Sequence, residues 1–162
     1  MNKRPYFTKT HMILEILSWV ICLAALIIAI VGAMTIDGEI ATHFDMHGNP
    51  DSYGTAKSLI TLPVVMMIIG LGTLSFVGHF MDPSTWNMPF KVNPMRKYVV
   101  YKDMLNMTYI LALLISLITL YLTLTMFFQN TSSMFVVMIL FIVLISADIV
   151  VWCVLASRHN KM

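Results

Sequence analysis

The stretch "ILEILSWVICLAALIIAIVGA" (Ile13–Ala33) decides the fold. Its 21 residues carry one charged side chain, Glu15. As a helix rising about 1.5 Å per residue it would cover about 30 Å, the thickness of a bilayer's hydrocarbon core. Three further stretches read the same way: Ser58–Phe80 and Leu105–Phe128, both without Asp, Glu, Lys or Arg, and Met134–Ala156, with Asp148 inside. None keeps the polar stripe that a helix of a soluble bundle needs. The whole chain of 162 residues is 59% hydrophobic and 11% charged, with a mean hydropathy of +0.83. Soluble domains run near a quarter charged, so this surface is built for lipid. The expected fold is an all-α membrane protein, a bundle of four transmembrane helices (about 13–33, 58–80, 105–128 and 134–156) forming one integral membrane domain over 1–162.

The basic lead Lys3, Arg4 and Lys9 could introduce a signal peptide, but the apolar core is too long for one and three spans follow. It reads as an uncleaved first span. Cys22 and Cys153 lie inside spans and read as small packing residues. Ala25, Ala29 and Ala33 recur at every fourth position, a small-residue ladder that lets helices approach closely. Pro63 removes a backbone donor near the start of the second span and is read either as a bend or as part of a frayed first turn.

Nine of the ten Lys and Arg residues fall in the leader, between the second and third spans (Lys91, Arg96, Lys97, Lys102) or in the tail (Arg158, Lys161). The opposite side has Lys57 alone, against Asp37, Glu39, Asp45 and Asp51. Positive-inside bias therefore puts both termini in the cytoplasm and the polar loop 40–57 outside. The segment 81–104 mixes four basic residues with Trp86, Phe90, Tyr98 and Tyr101, which suits a surface lying on anionic lipid or, less simply, a dock for a cytosolic partner.

The polar chemistry gathers in "HFDMHGNPDSYG" (His43–Gly54). Gly48-Asn49-Pro50-Asp51 reads as a β-turn, Tyr53 as an interfacial ring, and Lys57 as a cation needing Asp51 across the start of the second span. His43 should join that cluster. His43 and His47, four apart, could form a metal pair, but the Gly-Asn-Pro that follows stops a helix. No nucleophile stands beside a base and orienter, so neither catalysis nor a cofactor is expected. Within the membrane, Asp148 is expected to face protein, with Ser18, Trp19, Ser75, His79 and Glu15 as one polar layer.

"ATHFDMHGNPDSYGTAK" (Ala41–Lys57) resembles the signature of a bacterial membrane-protein domain family of unknown function, shared with the front part of SdpI-like immunity proteins. His43, Phe44, Gly48, Asp51, Lys57 and Pro63 fill the family's places, whereas its usual proline before the histidine is Ala41 here. The resemblance covers roughly residues 15–75. It implies a multi-pass protein of a bacterial plasma membrane in immunity or signalling, with a secreted peptide as ligand of loop 43–57 and no nucleic acid. Two alternatives rest on the residues themselves: a small transporter or transporter subunit using the layer around Asp148, and a membrane metalloenzyme using His43 and His47.

Overall fold

A computed structural model describes residues 6–45 and 47–162. Lys3 and Arg4 of the basic lead lie outside them. Four helices are long and apolar enough to cross a membrane: α1 (Lys9–Thr35), α2 (Ala56–His79), α3 (Lys97–Phe128) and α4 (Met134–Lys161). Between α1 and α2 stand two antiparallel strands, β1 (Glu39–Phe44) and β2 (Pro50–Thr55). The all-α expectation is thereby corrected, because the loop 40–57 is a hairpin. Its strands carry Ile40, Thr42, Phe44, Tyr53 and Thr55, the β-branched and aromatic types that favour a pleated backbone.

Each helix runs past its apolar stretch where local chemistry lets it. At the start of α1, Thr8 Oγ1 accepts from the His11 N–H (3.4 Å) while His11 Nδ1 accepts from the Thr8 N–H (3.1 Å), a reciprocal cap. With Nδ1 accepting, Nε2 carries the proton and donates to Asn106 Oδ1 (2.7 Å) on α3. The first turns of α3, from Lys97, are polar and were not legible as membrane helix. Here α3 meets the end of α4, where His159 Nδ1 lies 2.6 Å from Asp103 Oδ2.

Helices α1 and α3 run parallel, His11 meeting Asn106 at one end and Gly32 facing Phe127 at the other. Ser18, Cys22, Ala25, Ala29 and Gly32 are the buried stripe of α1, so Gly32 takes the place expected for Ala33. On α3 the buried Ser116, Thr119 and Thr123 hydroxyls donate to Leu113, Ile115 and Thr119 carbonyls of their own helix (2.7–2.8 Å). They need no donor or acceptor across the interface, and their small size admits close packing. Helix α4 folds back antiparallel on α3 after a short polar turn.

Helix α2 is irregular along its length. It opens as a 3-10 turn (Ala56–Ile60), becomes α-helical over Thr61–Val65, widens into a π turn (Met66–Leu71) and finishes as α-helix (Gly72–His79). Pro63 offers no N–H to the carbonyl one turn back, and the π turn takes up an extra residue beyond it. The change is thus a set of altered turns on both sides of Pro63. The segment 81–96 also differs from a free surface strip. Trp86, Met88, Phe90 and Val92 pack around Val100, Met104 and Ala156. Asn160 clamps it, donating to the Lys91 carbonyl (2.9 Å) and accepting from the Asn93 N–H (2.6 Å).

The tightest approach is between α2 and α3. A Cβ placed on Gly78 would sit 2.1 Å from the hydroxyl of the buried Tyr109. Gly78→Ala should therefore lower the thermal midpoint in detergent, by an amount worth about 1–3 kcal/mol of overpacking. Adding Tyr109→Phe should recover part of the loss, and thermal unfolding of the two variants measures both effects.

Candidate functional site

The hairpin is anchored to the helices from below. Ile40 is fully buried among Ala29, Ala56, Leu59 and Met126, with Phe44 packed against the same cluster. Gln129 ends α3 in a left-handed conformation (φ 51°), and its side-chain oxygen accepts from the Ala41 N–H (3.2 Å). Its amide donates to the Met126 carbonyl. A two-stranded hairpin is marginal by itself. These contacts supply the third side.

The register is Glu39 opposite Thr55, Ile40 opposite Gly54 and Ala41 opposite Tyr53; a bulge then shifts it to His43 opposite Ser52 and Phe44 opposite Pro50. Because Ala41 gives its N–H to Gln129, Ala41 and Tyr53 form a non-hydrogen-bonded pair. In such a pair both residues turn their backbone groups away from each other. The Tyr53 N–H and C=O therefore face the free edge of β2, a strand largely open to solvent, and the Tyr53 side chain is 59% exposed.

The chain reverses from Asp45, three residues before the expected Gly48–Asp51 turn. Asp45 accepts through Oδ1 from the His47 and Asn49 N–H groups (both 2.8 Å) and through Oδ2 from the Asn49 side chain (3.1 Å). The Asp45 N–H donates to the Asn49 carbonyl (2.9 Å), and Gly48 takes φ +86°, a conformation that favours glycine. Pro50 is the first residue of β2, where a missing N–H costs nothing. The Asn49 backbone and side-chain amides, with the His47 N–H, hold the Asp45 carboxyl below the usual carboxylate range.

The expected Asp51–Lys57 pair is not made. Asp51 Oδ1 lies 2.5 Å from His43 Nδ1. The extended backbone from Asp51 to Thr55 rises about 3.3 Å per residue and carries Lys57 away from it. Lys57 has no ion pair among the described residues. Nor do the two histidines converge: His47 Nδ1 is 3.8 Å from Asp45 Oδ2, and its ring stacks at 6.4 Å on Phe135 of α4. Among the described residues no three potential ligands gather as a metal site would require.

Beneath β1 lies an apolar cavity of about 480 Å³, open on one side. Thr42, His43 and Phe44 roof it; Ser58, Thr61, Leu62 and Val65 of α2, Leu122 and Met126 of α3, and Met134 and Met138 of α4 form its walls.

The expected polar layer divides. Glu15 Oε2 lies 2.8 Å from His79 Nε2, and the Trp19 indole N–H donates to Ser75 Oγ (3.2 Å), so both pairs join α1 to α2. Ser18 donates to the Leu14 carbonyl of its own helix (2.8 Å). Asp148, 8% exposed, meets none of them. Its neighbour is the Trp152 indole one turn along α4, outside hydrogen-bond geometry. Helix α4 packs on α3 and not on the α1–α2 face where the other polar groups lie. The sequence left no trace of the part played by Gln129, beyond its being the first polar residue after the third span, nor of the His11–Asn106 and Asp103–His159 pairs.

A hairpin pinned over four membrane-length helices defines a polytopic membrane protein with a structured polar cap. The family described as Domain of unknown function (DUF1648) matches residues 20–67, which run from α1 through the hairpin into the π turn of α2. No curated protein and no solved structure matches the chain.

The Asp45 knot sets a pH dependence. A carboxyl held low in the folded turn adds order that is present at neutral pH and is lost as pH falls through its folded value. The His47 and Asn49 amides should therefore be protected, relative to their intrinsic exchange rate at each pH, at neutral pH and lose that protection below the ordinary carboxylate range. Asp45→Asn should exchange fast throughout and lose the acid transition.

Proposed function

We propose that the protein is a non-enzymatic recognition protein of a bacterial plasma membrane, with both termini cytoplasmic and the hairpin outside. Its ligand is an extended secreted peptide, and its role is of the immunity or signalling type. The observation that carries this reading is the free edge of β2. Tyr53 turns an unpaired N–H and C=O outward beside an exposed aromatic ring. An exposed strand edge is a template for another strand, with main-chain hydrogen bonds supplying affinity and alternate side chains supplying choice. His43 and Asp51 sit at the far end of the same hairpin. Their exposed pair is worth about 0–1 kcal/mol to folding, so its use lies in presenting charge to a partner. The resemblance of Ala41–Lys57 to the front part of SdpI-like immunity proteins points the same way. The basic end, with Lys91, Arg96, Lys97 and Lys102, would pass the signal to a cytosolic partner or anchor on anionic lipid.

Proline at position 53 tests the edge. As the non-hydrogen-bonded partner of Ala41, Tyr53 turns its N–H away from β1, so Tyr53→Pro removes the docking donor while sparing the ladder. Cells expressing the protein should resist a membrane-active peptide secreted by neighbouring strains. Tyr53→Pro should weaken that protection about tenfold, the worth of one or two main-chain hydrogen bonds. Asp51→Ala should weaken it less, and membrane insertion should be unchanged in both. Protection untouched by either change, or absent in the unaltered protein, would refute the reading.

A further inference from the structure

The cavity beneath β1 asks for an occupant of its own. It lies at the hairpin end of the bundle, between α2 and α4, and its walls are mostly Leu, Val, Met and Phe side chains, with the Thr42, Ser58 and Thr61 hydroxyls gathered at the rim. Helix α4 packs on α3 with little packing against α2, so in a bilayer the space between α2 and α4 would open towards lipid. Water gains nothing there, since an apolar cavity offers it no partners. A peptide helix, about 10–12 Å across, would have to push the spans apart. An extended peptide would strand its backbone N–H and C=O groups at hydrocarbon depth, against walls that cannot satisfy them. A hydrocarbon chain meets neither objection.

The rim is different in kind. Thr42 and Ser58 gather under Gly54, where a Cβ would lie 3.7 Å from Thr42 Oγ1 and 3.2 Å from Ser58 Oγ. With Thr61 they place three hydroxyls at the cavity, and none makes a hydrogen bond among the described residues. Next to Ser58 in the chain stands Lys57, a cation without an ion pair among the described residues. One cation and spare hydroxyls beside an oily slot complement a phosphate on an acyl chain. The geometry points to a phospholipid site. One acyl chain of a phospholipid from the hairpin-side leaflet fills the cavity, its phosphate meeting Lys57 and the hydroxyls. This site lies below β1, whereas the peptide reading uses the free edge of β2, so the two stand or fall separately.

The test uses the full-length protein in phosphatidylcholine nanodiscs doped with phosphatidylethanolamine carrying a diazirine in its acyl chain. After photolysis, adducts are mapped by peptide mass spectrometry. Leu62, Val65 and Met138 should be labelled several-fold above Ile142 and Val150, which are more exposed on α4. Unlabelled phosphatidylethanolamine should compete, and diacylglycerol, lacking the phosphate, should compete poorly. Val65→Trp, filling the slot, should abolish the excess and leave Ile142 labelling unchanged. Should that variant fail to insert, Met138→Trp fills the slot from the other wall. Lys57→Ala should erase the preference for the phosphate. Labelling that follows exposure alone, or diacylglycerol competing as well as phosphatidylethanolamine, overturns the proposal. Tyr53→Pro should leave the labelling intact whatever its effect on protection.

Discussion

No backbone N–H or C=O can be left unpaired in hydrocarbon, and this constraint shapes every element of the protein. It turns four apolar stretches into helices, and where a span is irregular its neighbouring turns must re-pair their own backbone groups. Helix α2 is the case in point. Pro63 strips one hydrogen bond from the span, and the neighbouring turns tighten to 3-10 geometry on one side and widen to π on the other. The Pro63 carbonyl lies 3.9 Å from the thiol of Cys22 on α1, a weak contact inside the bundle. The serines and threonines of α3 answer the same constraint by bonding to their own helix, which leaves a surface of small, self-satisfied side chains for α1 to lie against.

Close packing of α1 on α3 fixes where the hairpin stands. Ala29, on the buried stripe of α1, and Met126, near the end of α3, meet Ile40 and Leu59 in one cluster. Gln129 then reaches up to Ala41 from the end of α3. The hairpin is consequently held from both helices. The donor that Ala41 spends on Gln129 is also what decides which face of Tyr53 turns outward. Packing, pinning and presentation are one chain of cause. The opposite end is stitched by a different set of contacts, Glu15 with His79, His11 with Asn106 and Asp103 with His159, each joining a different pair of helices.

Much of this was legible in the sequence, and what was not has a physical reason. Ile13–Ala33 announces a span because hydrophobicity is additive and local. The helix ends, Lys9, Lys97 and Lys161, were missed because polar residues continue a helix once it leaves the hydrocarbon. The hairpin was hidden because Ile40, Ala41, Thr42, His43 and Phe44 alternate weakly, and their burial comes from Leu59 and Met126, remote in the chain. Asp51 was assigned to Lys57 by nearness in sequence, which fails once β2 is extended; pairing across a strand register puts it beside His43 instead. Asp148 could be seen to be an acid in a span. Which helix would cover it depended on α4 packing against α3, a matter of tertiary arrangement that no local pattern records.

We propose that the structured polar hairpin stands on the extracytoplasmic side, above a bundle whose basic end faces the cytoplasm. Membrane-impermeant thiol labelling of intact cells tests that most directly, using single cysteines in a background with Cys22 and Cys153 replaced by serine. A cysteine at Ser52 should be labelled from outside, whereas cysteines at Trp86 and Asn160 should react only after the membrane is opened. Labelling at Trp86 in intact cells, with Ser52 protected, would contradict the account.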